Sequence, residues 1–148
     1  MLEQIQSHPT PPELARAEVV NEGFVKLHPG PPIHVFTKMV DKHFHTHPFD
    51  FQTAIVMGAY VEEVLVPMPD GSWKLIVCER VTGTTHRMPA GLPHRLVGLV
   101  DGEVCITRCE YFERTEGERW SICRFDEQGI LLHRFAYEAE DKWRPYVL

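Results

Sequence analysis

Three imidazoles fall within five residues in His43-Phe44-His45-Thr46-His47, and the run continues as Pro48-Phe49-Asp50-Phe51. Strand side chains alternate faces, so positions 43, 45 and 47 can point the same way. Imidazoles fill a dry core poorly. Their neutral ring nitrogens are good ligands for zinc, copper, iron and nickel. A second segment, Gly83-Thr84-Thr85-His86-Arg87-Met88-Pro89-Ala90-Gly91-Leu92-Pro93-His94, bends sharply at Pro89, Gly91 and Pro93 and presents His94 at its exit. Taken alone, that segment is a loop with a histidine.

The elements that must carry these residues read as strands. Ile33–Val40, Thr53–Met57, Tyr60–Val66, Trp73–Val81, Leu96–Val100, Val104–Phe112, Trp120–Phe125 and Ile130–Tyr137 are rich in β-branched and aromatic residues. Asp70-Gly71, Asp101-Gly102 and the run Asp126 to Gly129 punctuate them, and Asp101-Gly102 reads as a two-residue hairpin. Segments spaced in this way predict an all-β sandwich or barrel. The first 32 residues differ in texture. Thr10 as cap, Pro11 or Pro12 as opener and Glu13 at the capping-box position predict a short helix over Pro12–Val20. The expected organisation is an extension over 1–32 and one barrel domain over 33–148. Phe36, Phe44, Phe49, Phe112, Trp120 and Phe125 are expected to fill the core.

A chain of 148 residues suits one domain, and its formal net charge of −6 argues against a general nucleic-acid binder. No apolar run approaches the roughly 20 residues that span a bilayer, and no secretory signal is visible, so a cytoplasmic protein with no membrane partner is expected. The four cysteines form no CxxC pair and are expected to be reduced.

Together the two histidine segments resemble the cupin superfamily. Gly83, Pro89, Gly91 and His94 match its second motif position for position, and His45, His47 and Gly58 fall where the first motif puts two histidines and a glycine. The run His45 to Phe51, followed by Gly58-Ala59-Tyr60, is similar to a group of small bacterial single-domain cupins. The first motif's usual glutamate is replaced by Phe51.

The resemblance implies a double-stranded β-helix, a jelly-roll-like barrel. It also implies one divalent ion (Fe, Zn, Ni or Mn) held by His45, His47 and His94. Phe51 is then expected to point into the barrel beside the ion. The alternatives for a fourth ligand are His43, Asp50 on a bulged strand, or Gln52. His43, Tyr60 and Arg87 are the candidates for acid-base or substrate contacts. Glu63 is a further candidate, and His86 is expected at the rim. Ion release is expected as the pH falls below the free-histidine value of about 6.5. Three functions fit: a dioxygenase-like oxidoreductase acting on a small molecule, a non-catalytic binding or sensing module, and a sugar isomerase or epimerase. A homodimer covering a sheet edge is expected.

Overall fold

Residues 16–38 and 41–147 are described by a computed structural model, and among them every regular element is a strand. The reason is visible in single strands. In β5 (Phe49–Met57), Phe51, Thr53 and Ile55 are buried while Asp50, Gln52 and Ala54 between them are only partly so. In β6 (Ala59–Pro67) the buried set is Tyr60, Glu62 and Val64, joined by Leu65. A period of two commits each strand to one inner face.

Two antiparallel sheets result. The first contains β1 (Arg16–Asn21), β2 (Phe24–His28), β3 (Ile33–Phe36), β10 (Cys105–Arg114), β5 and β8 (Thr85–Met88), in that order. The second runs β13 (Arg144–Pro145), β12 (Leu131–Phe135), β11 (Ser121–Phe125), β4 (Phe44–Thr46), β9 (His94–Leu99), β6 and β7 (Trp73–Val81). Small apolar clusters hold the sheets together, one of Phe36, Ile55, Tyr60 and Cys105 and another of Phe44, Leu65, Cys123 and Leu131. The four cysteines are unpaired. No helix of the described residues is long and apolar enough to cross a membrane.

Three expectations need correction. The short N-terminal helix is not seen: Arg16–Asn21 is a strand paired with β2, from Arg16 opposite His28 to Asn21 opposite Phe24, and 12–15 lie outside the described residues. Two adjacent valines, Val19 and Val20, lose rotamer freedom in a helix and suit a pleated edge. Asp101 and Gly102 do adopt the left-handed conformation of a tight turn, with φ of 59° and 80°. The strands they join nevertheless enter different sheets, β9 beside β4 and β6, and β10 beside β3 and β5. Among the aromatics, Trp120 and Phe125 are more than two-fifths exposed.

Candidate metal centre

His45 and His94 are a directly opposed pair across β4 and β9, which places their rings on one face, with centroids 4.4 Å apart. His47 follows the end of β4, and its carbonyl accepts a hydrogen bond from the Gly91 N–H in the bend before His94. That tie brings the second segment against the first. The His47 ring lies 5.1 Å from each of the other two, and the three residues' ligand nitrogens all fall within 4.8 Å of one another. Gly91 permits the bend, because its φ is +75° and a Cβ there would meet the Glu118 carboxylate.

Hydrogen bonding leaves part of this nitrogen set free, while His45 Nδ1 lies 3.9 Å from the Asp41 carboxylate. Both ring nitrogens of His47 and the Nε2 of His94 are buried with no partner among the described residues. Native proteins seldom bury a polar atom unpaired, so one nitrogen of His47 and the Nε2 of His94 are left free to ligate an ion between the rings. His94 Nδ1 lies 2.7 Å from Glu62 Oε1. This carboxylate–imidazole contact orients the ring and leaves Nε2 free for an ion. Glu62 is itself fixed by the Arg80 Nε–H, at 2.8 Å. Burial alone would raise the Glu62 carboxyl, but the His94 and Arg80 contacts outweigh it and hold it below its usual value. Burial, with the neighbouring imidazoles adding to it, pushes His45 down to about 3 and His47 to about 2. Both rings are therefore neutral at pH 7, the state that ligates.

Phe51 stands beside the cluster, its ring 4.6 Å from that of His47 and 5.7 Å from that of His94. Trp120 closes another side at 4.4 Å from His47. The remaining candidates are placed as follows. His43 precedes β4 in a bend and packs against Trp143, outside the histidine group. Strand alternation does not reach back to it. Asp50 accepts from the Ala90 N–H and the Arg87 guanidinium, at 2.8 and 2.9 Å, which accounts for both its oxygens and for Arg87. Gln52 opposes Arg87 on the outer face of the β5–β8 pair. Glu63 pairs with Arg95. Tyr60 is buried, and its hydroxyl lies 3.3 Å from His86 Nε2, with His86 in turn 3.7 Å from Glu62.

The residue that the motif reading passed over is Glu62. Alternation from the inward Tyr60 selects 62 rather than 63, and that signal was present in the sequence.

No family model and no curated protein matches the chain. Among solved structures it is similar to the Drosophila melanogaster CENP-C cupin domain, at 11% identity over 66% of this chain and 75% of that one, with a TM-score of 0.53. The chain has a cupin fold. A second cupin of this kind is CapF, solved with the inhibitor 3-isopropenyl-tropolone, at 17% identity, 70% of this chain and a TM-score of 0.50. The match spans about a third of CapF, 32% of its chain. Within the cupin barrel the histidine group faces a cavity of about 500 Å³ between the two sheets, lined also by Glu62, Tyr60, Phe51 and Trp120.

Proposed function

We propose that this cupin is a mononuclear-metal oxidoreductase of dioxygenase-like type. One divalent ion is held by His45, His47 and His94, and the substrate is a small organic molecule bound in the cavity. The observation that carries the reading is the convergence of the His45, His47 and His94 ligand nitrogens within 4.8 Å, with buried nitrogens of His47 and His94 unpartnered and with burial keeping His45 and His47 neutral. When bound, such an ion would supply Lewis acidity and, if redox-active, a path for electrons from the substrate to dioxygen. The chain's own residues set the conditions. Glu62 holds the His94 proton at Nδ1 and fixes which nitrogen faces the cavity. Phe51 and Trp120 wall the histidines and offer no carboxylate, so the three-imidazole shell adds no negative charge to the ion. An electron-rich or anionic group, a thiolate or carboxylate, suits that charge. Burial keeps the Tyr60 phenol protonated well above its usual range, so it is available to donate toward His86 or a ligand.

Oxygen uptake tests the catalytic half. Protein loaded with Fe(II) is offered small thiols and carboxylic acids in an oxygen electrode. Uptake that needs both the protein and a substrate, and that His94→Ala abolishes, is expected. Full iron occupancy with no uptake across the panel would leave a binding module.

A further inference from the structure

The wall facing the histidines belongs to the first sheet, and its register sets a polar row across the cavity. Lys26 on β2 opposes His34 on β3, and His34 opposes Thr107 on β10. Cys109, next inward on β10, lies 3.4 Å from His34 Nδ1, and the Tyr111 hydroxyl lies 3.0 Å from His34 Nε2. These neutral groups satisfy one another. Lys26 does not join them. Its ammonium stands over the Phe24 ring, 5.7 Å from the centroid, and has no ion pair among the described residues. The carboxylate best placed to neutralise it is Glu18, its cross-strand neighbour on β1. Glu18 is turned instead to His28 Nε2, at 2.7 Å. The second cation on the cavity wall, Lys38, is already paired with Glu22. Glu62 is committed to Arg80 and His94. Asp41 accepts from the Leu96 N–H on the histidine side. Lys26 is thus a cavity-lining cation with no direct ion pair among the described residues, felt by Glu18 only at longer range, on the wall opposite the histidine group.

We propose that Lys26 is the anchor for an anionic group of the ligand, so that the cavity takes a small organic acid with a donor at one end and a carboxylate at the other. The donor reaches the ion at His45, His47 and His94, and the carboxylate reaches Lys26 across the row formed by His34 and Thr107. The donor half rests on the metal reading above, and the Lys26 half does not. An ammonium with no direct ion pair gives up little by meeting a carboxylate, and the partly enclosed cavity strengthens the attraction. A cavity of about 500 Å³ has room for a molecule of this size.

Calorimetric titration separates the two halves. The probes are malonate, succinate, glutarate and adipate, each against its uncharged diamide. They are titrated into zinc-loaded and into chelator-treated protein, with zinc per chain counted by elemental analysis. The expected result is that at least one dicarboxylate binds more tightly than its diamide. Lys26→Gln should weaken that dicarboxylate by about tenfold and leave the diamide and the zinc count unchanged. Lys26→Arg should restore the preference. The Lys26 dependence should persist, at lower affinity, without zinc. No preference for any dicarboxylate, or a preference that Lys26→Gln leaves intact, overturns the proposal even if zinc is bound. Failure of the protein to hold zinc, and then Fe, Ni or Mn offered in its place, overturns the metal reading, while the chelator-treated arm still reads Lys26.

Discussion

Glu62 is one side chain with two commitments, and each predicts a measurable effect. Its contact with His94 Nδ1 selects the tautomer, and carboxylates in that position typically contribute tenfold to a hundredfold to metal affinity. Glu62→Gln is expected to lower zinc affinity by about that factor, because an amide can present its N–H to the ring as readily as its oxygen. A competition titration against a chromophoric chelator reads the change. Unchanged affinity would mean that His94 is oriented by its strand alone. His86→Ala is expected to cost less than His94→Ala in the same titration, since His86 touches Tyr60 and Glu62 and lies outside the histidine group. The histidines were legible in the sequence because their spacing is local within two short motifs. Glu62 was harder to see. It lies 32 positions from His94, it has an acidic neighbour, and only the inward parity of β6 separates the two. Trp120 was harder still, because nothing local distinguishes an aromatic that walls a site from one that fills a core.

At the scale of the element, glycines mark where strands must turn under close contact. Gly58 links β5 to β6 at a φ of +79°, and a Cβ there would run into the Val104 carbonyl oxygen. Gly58→Ala is therefore strained twice, by its backbone conformation and by a backbone atom that cannot step aside. Its expected cost exceeds about 1 kcal/mol, read as a lower urea midpoint with an unchanged slope. A neutral result would mean that the turn relaxes freely. Gly71 has a similar φ of +84° but open space around it, so Gly71→Ala should be the milder change. Strand positions were legible from period-two patterning and turn residues. Partnership was not. Asp101-Gly102 carries hairpin chemistry, yet β9 and β10 go to opposite sheets, because turn residues specify a reversal and sheet membership is decided by contacts far along the chain. Arg16–Val20, the described part of the expected helix, likewise pairs with β2, since short isolated helices are marginal without tertiary support.

For the whole molecule, the buried histidines couple folding to pH. Burial holds His34 and His86 near about 4, as it holds His45 near about 3 and His47 near about 2. In the unfolded chain the same rings take up protons near pH 6.5. Below that pH the unfolded state binds more protons than the folded one, so stability falls as pH falls. Each such ring contributes at most about 1.4 kcal/mol per pH unit until its folded value is reached. Chelator-treated protein should show a clearly lower urea midpoint at pH 5 than at pH 7.5. An unchanged midpoint would contradict the burial of these rings. The same values revise the expectation that ions leave below pH 6.5. His45 and His47 stay neutral well below that pH, so metal loss should coincide with the loss of β-sheet ellipticity rather than precede it. Release from fully folded protein near pH 6 would contradict the burial of His45 and His47.

Elemental analysis of protein purified without chelator reaches the central claim most directly. The account predicts about one divalent ion per chain, lost in His94→Ala and retained in His86→Ala with the fold unchanged by circular dichroism. Folded protein that carries no metal, and that takes up none when offered Fe, Zn, Ni or Mn, would contradict it.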